Sequence, residues 1–288
     1  MKTLSIHSKA YPSNLKNIHR PPEELFIDGD ILPSDKSAIA IVGTRRATYY
    51  GLSQCEKLAY ELGLKGITVI SGMARGIDSA AHRGALKAGA RTIAVLGSGL
   101  NHIYPPENKK LYKEIVKNGA VVSEFPPDTP PARANFPQRN RIISGMSKGV
   151  VVIEAPAKSG ALITADYALE QGREVFAMPG NVNSVKSRGT NALIREGAKL
   201  VENADDIIEE LRSVMDNSPR STVHSPQLVP SISPDEKLIF DILNDEPKSI
   251  DEISQDSELP SGKTSEILLK LELKKLIKTL PGKNFVRA

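Results

Sequence analysis

The sequence predicts a doubly wound α/β domain followed by a small winged-helix-like domain. Short apolar runs alternate with amphipathic stretches from residue 38 to 212. Residues 213–233 then hold six Ser and three Pro without apolar periodicity, and three helical patterns and a hairpin fill 234–288. Residues 1–37 form an N-terminal extension expected to pack on the main domain.

Ala38 to Val42, Ile67 to Ile70, Thr92 to Leu96, Val121 to Ser123, Val150 to Glu154, Val175 to Ala177 and Lys199 to Val201 are short and bounded by Gly, Pro or polar residues, as buried parallel strands are. Between the first two, Leu52, Cys55, Leu58, Ala59 and Leu62 recur at helical spacing, and Ile77 to Ala88, Glu107 to Asn118 and Leu162 to Gln171 repeat the pattern. The alternation implies right-handed crossovers. Residues 213–233 read as a flexible linker. Beyond them Ser233 is placed to cap a helix marked by Leu238, Ile239, Ile242 and Leu243. Ile250 and Ile253 mark a second helix, and Ile267, Leu268, Leu271 and Leu276 a third. Two short strands, Ile277 to Leu280 and Asn284 to Val286, flank a Pro281-Gly282-Lys283 turn.

With 288 residues, 40% hydrophobic and 25% charged, the chain can bury a sizeable core, which excludes a fibre or a disordered chain. The single cysteine, Cys55, excludes a disulfide framework and a Cys-based zinc cage. No apolar run approaches the roughly 18 to 20 residues of a membrane helix, and Met1 to Leu15 lacks a signal-peptide core, so a cytoplasmic protein with no membrane partner is expected. The net charge of +4 is unevenly distributed. Residues 38–212 carry 23 Lys and Arg against 17 Asp and Glu, whereas 234–288 carry nine against eleven. The acidic balance of the winged-helix-like segment favours protein contact or dimerisation over duplex reading.

In an open parallel sheet, ligands bind outside the carboxyl ends of the strands. There the first strand runs into Gly43-Thr44-Arg45-Arg46 and the second into Ser71-Gly72-Met73-Ala74-Arg75-Gly76. Glycines allow close backbone approach, hydroxyls and N–H groups hold oxyanions, and Arg45 and Arg75 add charge. The run Phe136 to Gly149 is denser still. Arg139 and Arg141, with Asn140 between and Lys148 beyond, read as a loop and helix start, whose alternate spacing would point both guanidiniums to one side for bidentate phosphate contacts. Phe136 and Tyr104 are stacking candidates. Asp78 and His82, four apart on a helix, suit a structural hydrogen bond better than a metal. Glu154, at a strand end facing the cleft, would be a general base or would orient arginines. Gly97-Ser98-Gly99 is an incomplete dinucleotide fingerprint. Ser261-Gly262-Lys263-Thr264 resembles the end of a P-loop but reads as a helix start capped by Ser261.

These stretches resemble the DprA/Smf family of DNA-processing proteins. The resemblance is carried by Tyr11-Pro12 with Pro21-Pro22, Val42-Gly43-Thr44-Arg45, Ser71 to Asp78, and Ala81-His82 with Gly84-Ala85-Leu86. It continues through Val95 to Gly99 with Tyr104-Pro105, Ser123 to Pro126, Phe136 to Ser144, Ser159 to Ala165, and Met178-Pro179-Gly180 with Gly189-Thr190-Asn191. It spans nearly all of residues 11–212 and implies an extended Rossmann-like domain that binds single-stranded DNA. It further implies a homodimer that helps load the RecA recombinase during natural transformation, without catalytic turnover or a cofactor. Family members commonly add a winged-helix-like domain. Carried over, the DNA site would comprise Gly43, Thr44, Arg45, Ser71, Gly72, Arg75, Phe136, Arg139, Asn140, Arg141 and Lys148. Residues 1–37 do not read as the long N-terminal helical module that some members have, so no function of that module is expected from them.

Two other readings differ in class. A nucleotide-binding or nucleotide-cleaving enzyme of the lysine-decarboxylase-like group would need two glycines, a spacer, then Gly-Thr and a downstream Glu, which Ser159 to Asp166 does not match. A winged-helix regulator with an α/β sensor domain would need a basic C-terminal domain.

Overall fold

The structure is a computed structural model describing residues 1–215, 233–243, 248–257, 259–274, 276–280 and 284–287. It divides into two compact units, Met1–Pro219 and Arg220–Ala288.

In the first unit the chain runs β1 (Lys2–Ser5), α1 (Ser13–Lys16), β2 (Glu24–Gly29), β3 (Ile39–Val42), α2 (Tyr49–Leu64), β4 (Val69–Ser71), α3 (Ile77–Lys87) and β5 (Thr92–Val95). It continues through α4 (Lys109–Asn118), β6 (Ala120–Ser123), α5 (Asn135–Met146), β7 (Gly149–Val152), α6 (Gly160–Glu170), β8 (Glu174–Ala177), α7 (Arg188–Arg195), β9 (Lys199–Leu200) and α8 (Ala204–Met215). The nine strands form one sheet in the order β1-β2-β6-β5-β4-β3-β7-β8-β9. Strands β3 to β9 are parallel, while β1 and β2 add antiparallel to the edge at β6. The result is a mostly parallel, Rossmann-like sheet.

Period-two alternation sorts the side chains onto two faces. Ala40, Val42, Val150 and Val152 face a layer with Leu15, Ile142, Ile143, Ala165 and Leu193. Their neighbours Ile39, Ile41, Val151 and Ile153 face Cys55, Leu58, Leu62, Ala81 and Ile207. Toward the β6 side, Ala94, Leu96 and Val121 bury against Leu111 and Ile115 of α4.

The N-terminal extension is thus part of the sheet. Leu25 and Ile27 of β2 are 0% and 2% exposed. The Tyr11 hydroxyl donates to the Pro22 carbonyl at 2.7 Å. Asp35 fastens the extension to the amino ends of β4 and β5. It accepts from Leu32 N–H (2.7 Å), the Thr68 hydroxyl (2.7 Å) and Arg91 Nε and Nη2 (2.9 and 2.8 Å). Burial alone would raise the Asp35 carboxyl, but the bonds from Arg91, Leu32 and Thr68 hold it below its ordinary range.

The second unit contains α9 (Pro234–Ile242), β10 (Lys248–Ser249), α10 (Ile250–Ser257), α11 (Ser261–Leu273), β11 (Ile277–Leu280) and β12 (Asn284–Arg287), with strand order β10-β12-β11. Ser233 caps α9 in a capping box with Glu236. Ile239, Leu243, Ile253, Ile267, Leu268, Leu271 and Ile277 form its core. Three expectations change. Leu238 is an exposed residue, Ser261 is the first residue of α11 rather than its cap, and α8 continues through Met215, so 213–215 are helical. The remainder of the expected linker and the Pro281-Gly282-Lys283 turn lie outside the described residues.

Asp35→Ala is expected to lower the unfolding free energy in urea by about 2–3 kcal/mol, because it strands the Arg91 guanidinium and the Thr68 hydroxyl. An unchanged unfolding midpoint would contradict this role.

Candidate nucleic-acid interface

The chain leaves β3 toward β4, β5 and β6 on one side of the sheet, then returns to build β7, β8 and β9 on the other. The switch point therefore lies between β3 and β7, where ligands of open α/β sheets bind. The loops there are bonded into one surface. Thr44 N–H donates to the Glu154 carbonyl at 2.7 Å, and the Glu154 carboxylate accepts from Thr48 N–H (2.8 Å) and the Thr48 hydroxyl (2.5 Å). That hydroxyl accepts in turn from Gly51 N–H at 3.0 Å, capping α2. Glu154 thus orders the loop that carries Arg45.

The loop after β4 is held as tightly. Met73 is buried at φ 54°, a backbone cost on the order of 1 kcal/mol that its surroundings must offset. Asn108 Nδ2 donates to the Met73 carbonyl at 2.8 Å, and the Ser79 hydroxyl to the Ala74 carbonyl at 2.6 Å. Gly76 has φ 73°, and a Cβ there would meet the Thr44 carbonyl oxygen at 2.4 Å. The β3 and β4 loops are therefore in backbone contact.

Arg45, Gly72, Ala74, Arg75, Tyr104, Pro105 and Phe136 line a shallow cleft of about 20 Å³ above these loops. The Arg45 guanidinium lies 4.9 Å from the centroid of the Phe136 ring, and Tyr104 packs against the same ring at 5.7 Å with an interplanar angle of 46°. Arg45 has no acidic partner among the described residues. Arg75 forms an exposed ion pair with Glu107, worth little in water and free to exchange for another anion.

Arg139 lies beneath this cleft rather than in it. The run from Phe136 is expected to open as a loop before a helix start, but α5 already begins at Asn135, so Arg139 and Arg141 lie on a helix, where residues two apart point to opposite sides. Arg139 is 3% exposed and donates through Nη1 to the carbonyls of Gly72 (2.8 Å) and Val95, at the carboxyl ends of β4 and β5. A Cβ on Gly72 would meet its Nη1 at 2.5 Å. Burial lowers its pKa to about 10, opposed by the Asp78 charge. Arg141 points elsewhere, pairs with Glu124 at 2.5 Å and lines a separate cavity of about 490 Å³ with His19, Arg20 and Tyr167.

Three further expectations are corrected. The Ser71 hydroxyl is buried and donates to the Ile41 carbonyl at 2.6 Å, so its proton is engaged inside the sheet. Lys148 precedes β7 and so sits at the amino edge of the sheet, opposite the cleft, where its N–H donates to the Ala38 carbonyl. Asn140 faces α6, with Nδ2 bonding the Gly160 carbonyl at 3.3 Å. Gly43 and Thr44 frame the cleft without lining it. Glu107 and Asn108, which brace the Arg75 loop, carry no motif that would have marked them.

Asp78 and His82 are both buried but serve separate partners. Burial raises the Asp78 carboxyl, opposed first by the Arg139 charge and then by the Ala74 N–H, whose donor distance is 3.4 Å. His82 Nδ1 lies 2.7 Å from the Thr92 hydroxyl, which donates its own proton to the Val69 carbonyl at 2.7 Å. Nδ1 therefore carries the ring proton. Nε2 is buried without a partner among the described residues, and burial lowers the imidazole pKa to about 3.

A family model described as DNA recombination-mediator protein A matches residues 2–212, and one described as the DprA winged helix domain matches residues 223–283. The chain belongs to the DprA/Smf family. It is 48% identical over 212 residues to DNA processing protein DprA of Bacillus subtilis, covering 73% of this chain and 71% of that one. It is 40% identical over 279 residues to Protein Smf of Escherichia coli, covering 96% and 74%. The DprA crystal structure from Streptococcus pneumoniae superposes with TM-score 0.70 at 42% identity, covering 73% and 74%. DNA processing protein A of Helicobacter pylori, whose structure concerns its single-stranded DNA binding mode, superposes with TM-score 0.65 at 31% identity, covering 73% and 99%. Within this DprA/Smf fold, the glycine-rich loops and Phe136 meet over the carboxyl ends of β3, β4 and β5, beside the switch point of the sheet.

His82 gives a pH signature. Its ordinary pKa of 6.5 falls to about 3 in the folded protein. The stability of the neutral buried ring is therefore whole above pH 6.5 and lost as pH falls from there toward 3. Unfolding free energy is expected to decline over this window, and His82→Phe should flatten the decline by at most about 1.4 kcal/mol per pH unit. Parallel slopes for variant and wild type would refute the assignment.

Proposed function

We propose that this chain is a non-catalytic, single-strand-binding recombination mediator. It protects incoming strands and helps load the RecA recombinase during natural transformation, acting in the cytoplasm as a homodimer. One observation carries the binding role: Arg45, without an acidic partner among the described residues, stacks on Phe136 beside Arg75 and Tyr104 over the carboxyl ends of β3, β4 and β5, next to the switch point of the sheet. Single strands are held by cations along the backbone and by aromatic faces under the bases, and this cleft offers both. Its shallowness suits a strand lying across it and is too small to enclose a free nucleotide. The recombination role follows from the family, and the strand from the Helicobacter pylori relative.

The absence of turnover is supported by Glu154, whose carboxylate is occupied by Thr48 and held under the loop. The winged-helix unit is read as a protein-contact module. Two cations of its third helix are engaged by acids, Lys263 with Asp235 and Lys270 with Glu266, each at 2.6 Å.

Fluorescence polarisation of labelled oligo-dT and of a matched duplex tests the reading. Wild type is expected to prefer the single strand, and Arg45→Ala/Arg75→Ala to weaken it on the order of tenfold or more. Equal affinity of wild type and variant would remove the cleft from the binding site. Hydrolysis of a nucleoside monophosphate by pure protein, lost in Glu154→Gln, would overturn the non-catalytic reading.

A further inference from the structure

Past the switch point, the carboxyl ends of β7 and β8 carry cations that the Phe136 cleft does not use. Lys158 stands in the loop after β7, just before α6. Lys186 and Arg188 follow β8 and lead into α7. Arg46 is exposed in the loop after β3, the strand next to β7. None of the four has an acidic partner among the described residues. Their charge is therefore not neutralised by an ion pair among the described residues.

Hydrogen bonds join these loops into one surface. Gly189 N–H donates to the Ala155 carbonyl at 2.7 Å, which fixes the Arg188 turn beside the Lys158 loop. The Tyr50 hydroxyl donates to the Pro179 carbonyl at 3.0 Å, tying the start of α2 to the loop after β8. Asn191 clamps Gly180 by accepting from its N–H at 3.2 Å and donating to its carbonyl at 2.9 Å. On this braced surface Tyr49 is 88% exposed, an aromatic ring with no structural use. The acids that act on neighbouring Tyr50 are Glu154, which is buried, and Glu202.

We propose that Arg46, Tyr49, Lys158, Lys186 and Arg188 form a second binding segment for the same single strand. The strand leaves the Phe136 cleft, crosses the switch point and continues over the carboxyl ends of β7 and β8. This rests on the single-strand reading above. Neighbouring strands lie about 4.8 Å apart, so β4 to β8 spans roughly 15 Å, a distance a few nucleotides cover. Unneutralised cations spaced along that line meet successive phosphates, and Tyr49 offers a face to one base.

The test measures polarisation of a short oligo-dT of about six nucleotides and a long one of about 25, across a salt series, with the full chain and Lys158→Ala/Lys186→Ala/Arg188→Ala. The short oligonucleotide should bind the variant as it binds wild type, which also shows that the variant is folded. The long one should weaken on the order of tenfold, and its log–log salt slope should become shallower by about 2, from about 0.7 per phosphate over three contacts. Tyr49→Ala should weaken only the long oligonucleotide. An unchanged long-oligonucleotide slope in the triple variant would overturn the second segment while leaving the Phe136 cleft standing. Equal losses on both lengths would overturn it as well, and failure of wild type to bind either length would overturn the single-strand reading itself.

Discussion

The buried guanidinium of Arg139 is the constraint on which the cleft depends. It reaches from α5, on one face of the sheet, to the carbonyls of Gly72 and Val95 at the ends of β4 and β5. Those carbonyls lie where the strands stop pairing, so without Arg139 they would be buried acceptors with no donor. The same contact fixes how α5 enters the crossover to β7, and so where Phe136, one turn earlier, projects. Phe136 in turn seats Arg45 and Tyr104. One desolvated cation thus sets the position of an exposed one.

The price of that design is electrostatic. A buried guanidinium is costly unless bonded and compensated. Here two carbonyls bond it, the Asp78 charge acts on it from α3, and His82 in the same region is held neutral. Arg139 Nε remains without a partner among the described residues. The exposed Arg45 above the cleft, without an acidic partner among the described residues, is the cation open to an anion there.

The strands, the first crossover helices and the two glycine-rich loops were legible because their apolar runs and turn residues obey local rules. The cleft residues Arg45, Arg75, Phe136 and Tyr104 followed, since β-strand ends in this topology converge whatever the details. What escaped was decided by tertiary context. The start of the Phe136 run reads as a loop leading into a helix, yet Pro137 falls in the first turn of α5, where its missing N–H costs nothing. Misreading that helix placed Arg139 and Arg141 on one side when the helix places them on opposite sides. The strands β1 and β2 were missed because Lys2–Ser5 is short and polar, and Leu25 and Ile27 stand between prolines and a glycine. Lys148 carries the expected charge, but its place before β7 puts it at the amino edge of the sheet, away from the cleft.

The most direct test of the account separates the two arginines. Unfolding free energy in urea and affinity for oligo-dT are measured in parallel for Arg139→Met and Arg45→Met, which keep side-chain bulk while removing charge. The account predicts that Arg45→Met loses affinity with stability nearly intact, while Arg139→Met loses both, with a stability cost of about 3 kcal/mol from two stranded carbonyls. A stable Arg139→Met protein that has lost only its affinity would mean that Arg139 touches the strand itself, contradicting its role as the buried support of the cleft.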